Sequence, residues 1–282
     1  MAVVLQTITE LREQLSGKRV VLVPTMGALH EGHLSLVESA RDAVANGSAD
    51  VIVASIFVNP LQFAAGEDLE KYPRSLDDDV AKLSAAGVSY VFAPSVDEMY
   101  PHGALETKVT AGTVGGLFEG RSRAGHFTGV LTVVAKLFNI VQPVAAVFGQ
   151  KDAQQVFLVR QMVDDLSIPT RIIIVDTVRD DDGLALSSRN AYLDANQRRA
   201  ARMLSVALEA AASSADRGID AVLAAGQGVF MGEPLVELEY FAVVNPKTFL
   251  PVDDDYRGKA IALVAARVGT TRLIDNDQFY LA

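Results

Sequence analysis

The 282-residue chain contains no cysteine. That excludes disulfides, a thiolate metal site and a cysteine nucleophile, and it fits a reducing compartment. Histidine is scarce, with four in the chain. Positive charge is also short: 25 Lys and Arg face 35 Asp and Glu, for a net charge of −10. Proteins that grip nucleic acid without sequence preference carry a basic face, so this balance argues against a nucleic-acid partner. It leaves room for a local basic pocket around an anionic small molecule. No uninterrupted apolar run approaches the roughly 20 residues that span a bilayer. The opening M-A-V-V-L-Q-T-I-T-E-L-R-E has no basic segment ahead of a long apolar core, unlike a secretory signal. The expectation is a soluble, cytoplasmic protein with no membrane partner. Three motifs are absent as well: the G-x-x-x-x-G-K-[ST] phosphate loop, the G-x-G-x-x-G dinucleotide fingerprint and the H-E-x-x-H zinc helix. There is no G-x-S-x-G nucleophile turn either.

What is present begins with P-T-M-G-A-L-H-E-G-H at residues 24–33. It follows the apolar run R-V-V-L-V and precedes a helical pattern, giving strand, glycine-bearing turn and helix in succession. Two of the four histidines, His30 and His33, stand three apart, which on a helix puts them on one face. A helix N-terminus gathers unpaired N–H groups and the positive end of the dipole, and both suit a phosphate. Gly27 and Gly32 would let the backbone approach a ligand. The alternative is a strand–helix turn with two surface histidines. H-E-G-H is one residue short of the zinc helix.

Half of the residues are hydrophobic, enough for a substantial core in one large domain or two. Short V/I-rich runs at 19–24, 51–57, 89–93, 144–148 and 171–175 alternate with amphipathic patterns at 33–45, 77–86, 127–141 and 153–166. That alternation predicts an α/β fold, a parallel sheet with helices on both faces. Ligands in such sheets bind beyond the carboxyl ends of the strands. Three polar turns fall there: residues 24–33, F-V-N-P-L-Q-F at 57–63, and F-G-Q-K-D at 148–152. From Tyr192 the character changes. Residues 194–217 read as an alanine-rich helix with Asp194 as N-cap and Gly218 just past its end. A short helix at 220–226 follows, then strands at 236–244, 259–268 and 271–276. These predict a small α+β C-terminal domain, with the boundary within 177–189. The acidic triplets at 77–79, 180–182 and 253–255 read as solvated turns or helix starts.

Several polar groups suit an anionic ligand. Lys151 follows a strand directly and would act as a point charge on phosphate, with Gln155 one turn further on. An exposed Lys–Asp pair opening a helix is the plainer reading. In L-A-L-S-S-R-N, Ser187, Ser188 and Arg189 offer hydroxyl and forked guanidinium donors, or form an ordinary linker. In G-R-S-R-A-G-H-F, Arg123 and His126 would bind an anion or a ribose, or support a neighbouring subunit. Gln62 both donates and accepts, which suits a hydroxyl and a carboxylate of a small substrate, though it would cap the local backbone equally well.

Taken together, these residues resemble the nucleotidyltransferase superfamily related to class I aminoacyl-tRNA synthetases. Within it, P-T-M-G-A-L-H-E-G-H, F-V-N-P-L-Q-F, Y-P-R-S-L-D-D-D, R-A-G-H-F-T-G-V-L-T-V-V-A-K-L-F-N, F-G-Q-K-D-A-Q-Q and D-G-L-A-L-S-S-R-N are similar to the pantoate–β-alanine ligase family. The six motifs run in order over residues 20–194. The resemblance implies a Rossmann-like nucleotide- and pantoate-binding domain at 1–177 and a small C-terminal lid domain at 178–282. It implies condensation of (R)-pantoate with β-alanine to give pantothenate, AMP and pyrophosphate through pantoyl adenylate, with ATP as substrate, Mg2+ and a homodimer. Carried over, Met26, Gly27, Ala28, Leu29, His30, Glu31, Gly32 and His33 would line the ATP site. His30 and His33 would stabilise the phosphates, His33 as proton donor. Gly149, Gln150, Lys151 and Asp152 would hold the nucleotide, Val178 would touch adenine, and Leu186, Ser187, Ser188 and Arg189 would form a mobile clamp. Gln62 and Gln155 would hold pantoate, with Pro24, Asn59, Arg123 and His126 also facing substrate. Asp78 and Asp79 match positions associated with magnesium. Three residues depart from the family pattern: Ala153 for Tyr, Ala124 for Pro and Leu186 for Met. An adenylyltransferase with another acceptor and a non-enzymatic nucleotide sensor are the competing readings.

Overall fold

Val20, Val21, Leu22 and Val23 are each no more than 1% exposed. Four consecutive apolar residues, all buried, are what a strand needs when both of its faces are covered. In the computed structural model, which describes residues 1–282 except Ala65, Asp68 and Ala104, this run is the centre of a parallel sheet. The strands are β1 (Val3–Leu5), β2 (Val20–Thr25), β3 (Val51–Ile56), β4 (Tyr90–Phe92), β5 (Ala145–Gly149) and β6 (Arg171–Val175). Their spatial order is β1-β4-β3-β2-β5-β6. The chain steps from β2 to β3 and β4 on one side, then returns to place β5 and β6 on the other. The reversal falls between β2 and β5, where such sheets take ligands. Val20 pairs with Val51 and Thr25 with Ile56, so β2 and β3 end together.

The chain divides into two compact units. Met1–Gly149 with Leu158–Asp176 form the first, and Gln150–Phe157 with Thr177–Ala282 form the second. The first holds the parallel sheet and its surrounding helices. Leu36, Val37, Ala40 and Ala43 of the helix Glu31–Ala45 bury against Val21, Val23, Ala54 and Val147. The second holds an antiparallel sheet of β7 (Val236–Val244), β8 (Gly258–Val268) and β9 (Thr271–Leu281), in that order. Leu204, Ala207, Leu208 and Ala211 of the helix Met203–Ala212 share a core with Ala262, Val264 and Ala266 of β8.

The expected α/β class, parallel sheet and small C-terminal α+β portion are all present. Three details differ. β1 was not foreseen; it is three residues long, with Val3 and Val4 49% and 39% exposed. The alanine-rich segment is not one helix but two, Ala195–Ala201 and Met203–Ala212, broken at Arg202. Asp194 is its N-cap, accepting from the amides of Asn196 and Gln197. Gly218, with φ +85°, ends the 3-10 turn Ala215–Arg217 as expected and also opens the helix Ile219–Gly228. β9 continues to Leu281 through polar residues that hide its length.

In the second unit Gly226 lets a helix pack directly on a strand side chain. A Cβ there would lie 2.3 Å from Cζ of Phe241. Gly226→Ala should cost about 1–3 kcal/mol by overpacking, read as a lower urea midpoint. Adding Phe241→Leu should recover part of the loss. An unchanged midpoint in Gly226→Ala would contradict this packing.

Candidate active site

The turn after β2 is built from backbone that few sequences adopt. Gly27 has φ +84° and Ala28 has φ +52°, so two successive residues are left-handed. Thr25 Oγ1 donates to the Ser55 carbonyl (2.7 Å) and accepts from the Gly27 amide (3.2 Å). The amides of Ala28 and Leu29 donate to the two carboxylate oxygens of Asp79, at 2.9 and 2.8 Å. Ser75 Oγ adds a third hydrogen bond to Asp79 (3.2 Å), and Lys82 Nζ donates to the Leu29 carbonyl (2.7 Å). A side chain at 27 would crowd this anchor, because a Cβ there would lie 3.1 Å from Asp79 Oδ2.

The histidines lie at the end of the turn, in an arrangement their spacing alone did not specify. His30 is the N-cap of the helix Glu31–Ala45, and its Nδ1 accepts from the Gly32 amide at 3.2 Å. His33 Nδ1 accepts from the His30 amide at 3.3 Å. The ring centroids are 4.1 Å apart. With Nδ1 accepting in both rings, each neutral imidazole carries its hydrogen on Nε2. Two N–H donors thus sit beside a helix N-terminus, an electrostatic setting for anionic oxygen. Glu31 is exposed; Met26, His30 and His33 are half-buried.

Beyond β3, Gln62 is held at both its side chain and its main chain. Asn59 is fully buried. Its Oδ1 accepts from Tyr100 Oη (2.8 Å) and the Leu61 amide (3.3 Å), while its Nδ2 donates to the Gly129 carbonyl (3.1 Å) and Gln62 Oε1 (3.0 Å). Burial pushes Tyr100 up to about 12, so it stays a neutral donor. Accepting at Oε1 orients Gln62 with Nε2 as its donor end. The Gln62 carbonyl accepts from His126 Nδ1 (2.8 Å) and Arg123 Nη2 (3.2 Å). That fixes His126 with its hydrogen on Nδ1, leaving Nε2 to accept from Arg123 Nη1 at 3.0 Å. Arg123 also grips Glu67 through two hydrogen bonds, 2.8 and 2.7 Å. Burial pushes the Glu67 carboxyl up, but the Arg123 hydrogen bonds and charge outweigh it and hold the group below its usual range. A Cβ on Gly129 would lie 2.0 Å from the Leu61 carbonyl oxygen, so glycine is what admits the 59–62 turn.

In the second unit, Gln150–Asp152 form a short 3-10 turn that leads into the helix Ala153–Asp165. Lys151 and Gln155 are half-buried, Asp152 is exposed, and Gln154 is buried. Ala153, where the family pattern has Tyr, is buried at the helix start. Arg179 and Ala185 pair as an antiparallel bridge, and the Leu186 amide donates to the Val178 carbonyl (2.9 Å). Val178 and Leu186 are therefore neighbours. Ser187 caps the turn Ser188–Tyr192 by accepting from the Arg189 amide. Ala124, another departure, is exposed.

Asp79 was expected beside a metal. Its oxygens are instead occupied by two amides and a hydroxyl, and the group is fully buried. Asp78 points to solvent. Among the described residues no three His, Asp or Glu side chains cluster to hold an ion. The pair does not fit a resident magnesium. Sequence reasoning missed Asp79 as the anchor of the turn, and it missed Tyr100, Glu67, Asp275 and Asn276 altogether. A buried Asp-Asn pair inside a strand pattern was the one local signal available.

The comparisons with known proteins agree with the fold and the motifs. The family model for pantoate-beta-alanine ligase matches residues 3–278. The pantothenate synthetase of Leifsonia xyli subsp. xyli is 59% identical over 263 residues, covering 93% of this chain and 90% of that one. That of Thermobifida fusca is 51% identical over 281 residues, covering 96% and 92%. Among solved structures, pantothenate synthetase from Thermus thermophilus matches with a TM-score of 0.92 and 47% identity, covering 98% of both chains. Pantoate-beta-alanine ligase from Francisella tularensis, complexed with beta-gamma ATP and beta-alanine, matches with a TM-score of 0.80 and 32% identity, covering 98% of this chain and 97% of that one. The parallel sheet and these relatives define an α/β enzyme of the ligase class. More narrowly, the chain belongs to the pantoate–beta-alanine ligase family.

Asp79→Asn would set an amide NH2 against one of the turn amides and should cost about 1–3 kcal/mol of stability. Ligase activity should fall and stay low as magnesium is raised to large excess. Recovery at high magnesium would make Asp79 a metal ligand instead.

Proposed function

We propose that the protein condenses (R)-pantoate with β-alanine, with cleavage of ATP, through enzyme-bound pantoyl adenylate. The observation that carries this is the double-histidine cap, in which both rings accept through Nδ1 on a turn whose backbone is already fixed. In the first step a pantoate carboxylate oxygen attacks the α-phosphorus of ATP, and the bond to pyrophosphate breaks. In the second, the β-alanine amine attacks the acyl carbon, the acyl C–O bond breaks and AMP leaves with that oxygen; the amine loses a proton. The difficulty is bringing an anion against a polyanion. Donors fixed in advance cost no reorganisation as charge shifts, and positioning supplies much of the rest.

His30 and His33 donate to phosphate oxygens in this reading, with His33 the proton donor. Met26–Leu29, Glu31 and Gly32 line the same nucleotide. Lys151 is a point charge on phosphate, Asp152 lies near the ribose and Val178 near adenine. Ser187, Ser188 and Arg189 add donors on the segment that begins at Leu186. Gln62 and Gln155 hold pantoate, and Asn59 fixes the Gln62 amide. Arg123 and His126 act through the Gln62 carbonyl, which their hydrogen bonds already hold. Magnesium enters on the phosphates of ATP as part of the substrate. A similar chain from Francisella tularensis, complexed with beta-gamma ATP and beta-alanine, supports this choice of substrates. The same reading takes the enzyme as a cytoplasmic homodimer. No helix among the described residues is long and apolar enough to cross a membrane.

The protein should exchange labelled pyrophosphate into ATP when pantoate is present and β-alanine is not. Exchange that requires β-alanine would contradict a free-standing adenylation step. His33→Ala and Lys151→Ala should each lower kcat by about 10²–10³-fold, the scale of losing one preorganised donor. Folded variants with wild-type rates would remove those roles.

A further inference from the structure

The lysine turn does not hold its own backbone; a strand more than a hundred residues later does. Asn276 of β9 is 4% exposed. Its Nδ2 donates to the carbonyls of Gln150 (3.0 Å) and Lys151 (2.8 Å). Both hydrogens of that amide are thus committed to the turn that bears Lys151. The preceding residue, Asp275, is equally buried. It receives Arg179 as a fork, at 2.5 Å to Oδ2 and 3.1 Å to Oδ1, and accepts the Asn276 amide at 2.8 Å. Burial pushes the Asp275 carboxyl up, with the Arg179 hydrogen bonds and charge pulling the other way. Arg179 reaches on to the carbonyls of Asn276 (3.4 Å) and Gly183 (3.3 Å). Arg179 is also the residue that bridges Ala185, between Val178 and Leu186.

Two adjacent residues on β9 therefore fix two separate segments. One is the turn of Lys151; the other is the hairpin of Val178 and Leu186. β9 is in turn held along its length by β8, with Asn276 opposite Leu263 and Asp275 opposite Val264. We propose that Asn276 and the Asp275–Arg179 pair are positioning residues for the nucleotide, holding the Lys151 turn and the Val178–Leu186 hairpin in one frame. This rests on the reading that both segments face ATP. None of the three residues is assigned a contact with substrate.

The test is Asn276→Asp, which replaces the NH2 and its two N–H donors with one carboxylate oxygen aimed at two carbonyls. KM for ATP should rise about tenfold or more, since the two carbonyls lose their donor and the Lys151 turn loses its hold. KM for pantoate should rise by less than KM for ATP, because Gln62 is held independently of β9 even though Gln155 follows the Lys151 turn. In a Lys151→Ala background the same substitution should add little further loss, since it acts through Lys151. Asn276→Ser, which keeps one donor, should fall between wild type and Asn276→Asp, and it serves where the aspartate variant folds poorly. An unchanged KM for ATP, equal rises in all three KM values, or full additivity with Lys151→Ala would overturn the proposal. ATP affinity by calorimetry without pantoate reads the same effect apart from the ligase chemistry. A wild-type protein that binds ATP but makes no pantothenate would overturn the ligase reading alone.

Discussion

The buried carboxylate of Asp79 is the acceptor that allows the turn after β2 to exist. A non-glycine residue in the left-handed region costs roughly 1–2 kcal/mol, and Ala28 is one. Two amide hydrogen bonds to a charged oxygen pair return about 1.5–3 kcal/mol each. The second effect is larger, so the turn holds. From that follows the rest of the segment. The Gly27–Leu29 backbone delivers His30 to the N-cap position, His30 opens the helix, and His33 closes the cap from one turn inside. Each imidazole is then committed through Nδ1, and its chemistry is that of Nε2.

The same device recurs at the other side chains proposed to face substrate. The Gln62 carbonyl is held by Arg123 and His126, and its amide by Asn59. The carbonyls of Gln150 and Lys151 are held by Asn276. In each case a buried or partly buried polar side chain holds a group that lies outside the sheets. The functional side chain is fixed as a consequence. The proposed reaction, which brings a carboxylate to a triphosphate, gains from this, because fixed dipoles need no reorganisation when charge moves.

How much of this was legible follows from the range of each interaction. The strands around β2 could be read because burial on both faces leaves an uninterrupted apolar run. Lys151, His30, His33 and Gln62 could be singled out because strand-end position and residue type suffice to mark them. Asp79 could be seen but not understood. It sits in a run of three aspartates, and only the fold shows that Asp77 and Asp78 face solvent while the third turns inward to residues 50 and 51 positions earlier. Asn276 was invisible in its role, since its partners are 125 and 126 residues away. The break at Arg202 carries neither proline nor glycine, so no local rule announces it. β1 is too short for its pattern to register.

The acyl adenylate is the centre of the proposed mechanism. Pantoate labelled with 18O in both carboxylate oxygens tests this directly. After one turnover with ATP and β-alanine, mass spectrometry should find one 18O atom in AMP and one in the amide carbonyl of pantothenate. AMP without label would show that no carboxylate oxygen bonded the α-phosphorus, and the mechanism would be wrong.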